Sequence, residues 1–157
     1  MGLRPERVNH GIDAPVVNSE SSAIGAAKLP DGWMAALGIE IVKMDLEEVV
    51  AEWTIDHRHL QPFGIVHGGV HSGVVETVCS LGAALHAAQH GKIVVGAENH
   101  TSFLRPAKSG RLRAVGKPVQ VGQKAQLWEA SITDEKGRLV ATGRVRLFAL
   151  DAPPPGG

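Results

Sequence analysis

The chain has 157 residues, 43% hydrophobic and 20% charged, enough for one domain with one core and too few for two ordinary domains. Its 16 Lys and Arg balance 16 Asp and Glu, so it carries no electrostatic footprint for nucleic acid, although a local basic cluster can still hold a small anion. No apolar run is long enough to span a membrane, and the single cysteine, Cys79, excludes an intramolecular disulfide; a reducing, cytoplasmic setting is the expectation.

Residues 1–27 are mixed and Gly/Ser-rich, lack a signal-peptide core, and read as a poorly ordered arm. Glu6 stands where a myristoylation signal needs Ser or Thr. The domain is expected over 28–150. "DGWMAALG" (31–38) predicts a short helix that Asp31 caps and Gly38 ends. Residues 39–56 read as two strands broken near 45–48, because Val49, Ala51, Trp53 and Ile55 alternate with Val50, Glu52, Thr54 and Asp56. "PFG" (62–64) is a turn. Residues 69–90 form one long helix, rich in Val, Leu and Ala and buried nearly all round.

Four strand-like runs follow, at 92–106, 110–122, 124–135 and 137–150. The short turns between them predict a four-strand antiparallel meander. The tail, 151–157, is Pro/Gly-rich and expected to fray. There is no internal repeat. The economical packing is an α+β domain, one antiparallel sheet wrapped around one long buried helix. Its open face and edges predict a homodimer or a dimer of dimers.

The chemistry concentrates in "HLQPFGIVHGGVHSGVVETVCS", where a loop enters the long helix. A helix N-terminus presents unpaired N–H groups and partial positive charge. Gly68 and Gly69 let a ligand atom approach those donors, which suit a developing oxyanion. Glu76 lies two turns on among apolar neighbours, where a carboxylate is costly unless paired or used. Ser80 shares its face and can hold a water beside it. Gln61, before Pro62, offers an amide donor to a carbonyl.

This stretch resembles the signature of the hotdog-fold thioesterases, in the PaaI-like and 4-hydroxybenzoyl-CoA subgroup whose acid is glutamate. The aryl-CoA and aryl-carrier-protein thioesterases of enterobactin and menaquinone synthesis belong to the same subgroup. "VVGAENHTSFLRPA" and "VGQKAQLWEASITDEKGRLVATGRVRL" are similar to the family's later strands. The resemblance implies that Glu76 is nucleophile or general base. It implies that Gly68 N–H and Gln61 polarise the thioester carbonyl, His67 orients the loop or the sulfur, and Ser80 positions water. It also implies that the site lies between subunits, with residues 95–98 arriving from the partner chain. The expected substrate contacts are Gly69, Val95, Gly96, Arg105 and Lys124.

Two departures stand out. Relatives of the enterobactin type carry His-His before the Arg-Pro, where this chain has Phe103-Leu104, which suggests a less polar substrate. Relatives often have Arg where Gln123 stands, which leaves Lys124 to replace a phosphate contact. Arg105, Lys108, Arg111 and Arg113 surround a turn; they are either a solvated surface or a clamp for coenzyme A phosphates.

Plainer readings exist. Glu76 can be a paired structural acid, His67 a helix cap, and Ser80 a packing residue. His57, His59, His67 and His71 include an i, i+4 pair of the kind zinc sites use, but no Cys or Asp/Glu cluster completes a shell, so no metal is expected. Cys79 lies in an apolar run, where a thiol is inert. The expected activity is hydrolysis of a medium-chain or aromatic acyl-CoA to free acid and coenzyme A, without a cofactor. The alternatives are a non-catalytic acyl-CoA sensing module, a thioesterase acting on an acyl carrier protein, and a hydratase, for which no second acid is visible.

Overall fold

A computed structural model describes residues 32–152. The N-terminal arm, the Asp31 cap and the tail from 153 lie outside the described residues. A short helix, α1 (Trp33–Ala36), ends where Gly38 takes a φ of 63°, a left-handed conformation that glycine adopts without strain. Strands β1 (Glu40–Met44) and β2 (Val49–Thr54) pair across the break at 45–48. In β2, Val49, Ala51 and Trp53 are buried as the alternation predicts, and Val50 on the other face is buried as well.

The long helix, α2 (Gly68–Ala88), buries Val70, His71, Val74, Val75, Val78, Cys79, Gly82, Ala83 and Ala87. Its remaining side chains between Val70 and Ala87 are half-buried, so it is enclosed nearly all round. Close approaches seat it deeply: the indole of Trp128 lies against Gly82, and Val78 lies against Gly116 of the sheet. Among the described residues no helix is long and apolar enough to cross a membrane.

The remaining strands are β3 (Lys92–Phe103), β4 (Arg111–Val121), β5 (Ala125–Asp134) and β6 (Leu139–Asp151). Asp151, expected in the frayed tail, is the last residue of β6 and pairs with Lys92. The six strands among the described residues form one antiparallel sheet in the order β1-β2-β4-β5-β6-β3. The sheet packs on α2 through β2, β3, β4, β5 and β6, the wrapped-helix architecture expected of a hotdog fold.

The four-strand meander is only partly realised. β4, β5 and β6 are consecutive hairpins, but β3 pairs with β6 at the far edge and β4 pairs with β2. The segment 104–110 is short, yet it does not close a hairpin. The N–H groups of Leu104 and Arg105 both donate to the Val140 carbonyl, at 2.9 and 3.1 Å, so the end of β3 stays against β6. Farther on, the Ala107 carbonyl accepts from Val66 N–H and the Gly110 carbonyl from Ile55 N–H. The segment is thus tied to the loop before α2 and to the exit of β2, which delivers β4 beside β2. Turn length alone does not carry that information.

Candidate active site

The loop into α2 is built on a buried histidine. His59 is fully buried; its Nδ1 accepts the Asp56 N–H at 2.9 Å and its Nε2 donates to the Leu37 carbonyl at 2.8 Å. It lies in a one-turn 3-10 helix (His57–His59). Its own carbonyl accepts the His67 N–H at 2.8 Å, which sets the residue before α2.

His67 then caps the helix: its Nδ1 accepts the Gly69 N–H at 2.8 Å. The Gly69 donor is therefore engaged, which corrects the expectation that both glycines offer free N–H groups. Gly68, the first helical residue, keeps an N–H with no intrahelical acceptor. Gln61 uses its side-chain oxygen on Phe63 N–H at 3.0 Å. Among the described residues no acceptor takes its amide NH2.

The Phe103 ring lies over Gly68, where an added Cβ would be 2.7 Å from two ring carbons. Phe103 and Leu104 are 57% and 54% exposed, so an apolar surface adjoins the free donor. His71, only 3% exposed, stands 6.1 Å from the Phe103 ring centroid. Among the described residues its Nδ1 has no partner, and burial pushes its pKa down to about 4, so the ring is neutral.

Glu76 is half-buried two turns into α2. Ser80 Oγ donates to its Oε1 at 3.3 Å, as the i, i+4 spacing predicts. Two residues of β3 complete its surroundings. Gly96 lies so close that a Cβ would be 2.6 Å from Oε1. Asn99 donates from Nδ2 to Oε2 at 2.9 Å. Strict alternation would put positions 96 and 99 on opposite faces. The register of β3 on β6 slips between Gly96 and Glu98, and this bulge turns both residues toward α2. Asn99 was not a sequence candidate; it is remote in sequence and no spacing marks it. Gly96, in the stretch 95–98 expected from a partner chain, thus approaches Glu76 within one chain.

Cys79 is fully buried, and burial and then the Glu76 charge push its thiol pKa up, so it takes no part. Among the described residues no group of three or more His, Cys, Asp or Glu is arranged to hold a metal.

The family model described as the thioesterase superfamily matches residues 63–141, half of the chain and the segment that carries Gly68, Glu76, Ser80, Gly96 and Asn99. The proofreading thioesterase EntH of Klebsiella pneumoniae is 37% identical over 117 residues, 74% of this chain and 85% of that protein. The chain belongs to the thioesterase superfamily. It is a thioester hydrolase on a hotdog fold.

Solved structures agree with this. The thioesterase of Haemophilus influenzae superposes with a TM-score of 0.73 at 34% identity, covering 79% of this chain and 86% of that one. AziG of S. sahachiroi superposes with a TM-score of 0.74 at 40% identity, covering 78% of this chain and 98% of that one.

The cations expected to contact phosphate in this thioesterase divide into three groups. Arg111 and Arg113 both hold Glu52, which removes them from a phosphate clamp. Arg105 and Lys108 are exposed beside the loop that precedes Gly68, and among the described residues they form no ion pair. Lys124 lies in the turn between β4 and β5, where its carbonyl accepts the Ala149 N–H at 3.0 Å. That turn adjoins the start of β3, whereas Arg105 follows its end. Within one chain, Arg105 and Lys124 cannot grip the same group.

Proposed function

We propose that this thioesterase hydrolyses an acyl-CoA with a medium-chain or aromatic acyl group, using Glu76 as the catalytic carboxylate. The observation that carries this reading is the setting of Glu76. Its oxygens are held by Ser80 and Asn99, and Gly96 keeps the space in front of Oε1 free of any side chain. Glu76 either attacks the thioester carbonyl or deprotonates the water that does, with Ser80 as the water's neighbour. Gly68 N–H and the unengaged Gln61 NH2 stabilise the oxyanion. The exposed faces of Phe103 and Leu104 beside Gly68 favour an apolar acyl group.

The site is shared between two copies. The eight-residue step from Gly68 to Glu76 spans about 12 Å along the helix, too far for one carbonyl to touch both. Among the described residues nothing pairs with the outer edge of β3 along its twelve residues, and Val95 and Phe103 are exposed there. Antiparallel pairing of two such edges brings Gly68 and Gln61 of one copy toward Glu76 of the other. It also brings the start of one β3 beside the end of the other, so Lys124 and Arg105 converge from different chains on the coenzyme A phosphates.

The test is thiol release from acetyl-, octanoyl- and benzoyl-CoA by the wild type and Glu76→Ala. A loss of about a thousandfold or more in the variant supports the reading. Equal turnover by both proteins overturns it, and binding without turnover points to a carrier-protein substrate or a sensor. Mixing Glu76→Ala with Gln61→Ala restores up to about a quarter of wild-type activity if the site is shared, and none if each chain holds its own.

A further inference from the structure

We infer that Asn99 is a positioning residue for Glu76, with Thr101 holding its amide in place. The inference deepens the reading above and rests on Glu76 being the catalytic carboxylate. An asparagine amide has two donors and one acceptor group, and here both kinds are used. Its Nδ2 donates to the Ser72 carbonyl at 3.0 Å and to Glu76 Oε2 at 2.9 Å. Its Oδ1 accepts the Thr101 hydroxyl at 2.7 Å. A flipped amide would set Oδ1 against a carbonyl and a carboxylate at once, so only one orientation is compatible with these neighbours. The relay runs Thr101 to Asn99 to Glu76.

The relay makes the two carboxylate oxygens unequal. Oε2 is anchored to a paired strand, because Asn99 stands opposite Val145 of β6. Oε1 takes, among the described residues, only the longer bond from Ser80 and faces Gly96, which has no side chain. Oε1 is therefore the oxygen that meets the carbonyl or the water, and Asn99 fixes its direction. The bond to Ser72 adds a second anchor one turn before Glu76, so the geometry survives small movements between strand and helix. Correct aim of a reacting group is worth orders of magnitude in rate, whereas a solvent-facing polar pair is worth little to stability.

The experiment compares Asn99→Ala, Glu76→Ala and the double variant in thiol release from octanoyl- and benzoyl-CoA, with Thr101→Ser and Thr101→Val alongside. We expect Asn99→Ala to lower kcat about 10- to 100-fold with KM within about twofold. We expect it to add nothing in the Glu76→Ala background, because it acts only through that carboxylate. Thr101→Ser keeps the wild-type rate and Thr101→Val loses part of it. A kcat for Asn99→Ala within twofold of wild type overturns the inference, as does an equal loss in the Glu76→Ala background. If Glu76→Ala itself retains full turnover, the catalytic assignment fails, which is a different result from Asn99→Ala alone being silent. A crystal structure of Asn99→Ala gives a readout independent of turnover. The carboxylate should leave its place over Gly96, and its staying there overturns the inference.

Discussion

Gly96 on β3 faces the carboxylate of Glu76 on α2 with no room for a methyl group, which would stand 2.6 Å from Oε1. Its backbone is outside the left-handed region, so alanine is acceptable to the strand itself. The cost of Gly96→Ala falls on the position of Glu76. The expected result is a fall in kcat of about 10- to 100-fold. Thermal unfolding should show a midpoint within about 3 °C of wild type, because Gly96 is exposed. A variant with unchanged kcat would show that Glu76 works from a different position.

Phe103 covers Gly68 and offers more than half of its surface to whatever binds there. Phe103→Ala removes that apolar wall. Losing part of an aromatic contact is worth about 1–2 kcal/mol, so kcat/KM for benzoyl- and octanoyl-CoA should fall about tenfold. Acetyl-CoA, too short to lie along the ring, should change less than about threefold. Equal losses on all three substrates would show that Phe103 does not discriminate acyl groups.

His71 links stability to pH. Burial lowers its pKa to about 4 from the ordinary 6.5, so the unfolded chain binds a proton that the folded one refuses. The unfolded state then holds more protons between pH 6.5 and pH 4, and stability falls as pH drops through that window. The full effect is of order 3 kcal/mol and is complete below about pH 4. Urea melts at pH 7.5, 6, 5 and 4.5 measure it. His71→Leu should flatten the slope above pH 5, and an unaltered slope would assign the effect to other groups.

His59 ties three segments together: α1 through Leu37, the cap at Asp56 and the residue before α2 through His67. His59→Ala leaves a cavity and two backbone groups without their partners. A loss of about 3–4 kcal/mol in denaturant unfolding is expected. KM should rise, because the Gln61–Gly68 loop loses its support. A loss below about 1 kcal/mol would mean that water replaces both bonds.

Much of this protein is written in local pattern. Val, Leu and Ala at half of the positions of 69–88, with Glu76 the one acid or Lys/Arg among them, announce a buried helix, and alternation marks the strands on either side of 45–48. Gln61, Gly68, Glu76 and Ser80 stand out because a glycine pair, a helix start and an isolated carboxylate are visible in a one-dimensional chain. The pairing of β3 with β6 was not visible, since it depends on Val140 receiving the end of β3, 36 residues on from Leu104. The engagement of Gly69 by His67 depended on a side-chain rotamer. Asn99 beside Glu76, and Phe103 over Gly68, required the slip in register at Gly96–Glu98 and the packing of β3 on α2. Side-chain period and helix propensity are properties of neighbouring residues, which is why most elements and the main chemical groups are legible in the chain. Strand order, bulges and the aim of a carboxylate follow from contacts between distant segments, so it took the folded chain to set one oxygen of Glu76 on Asn99 and turn the other toward Gly96.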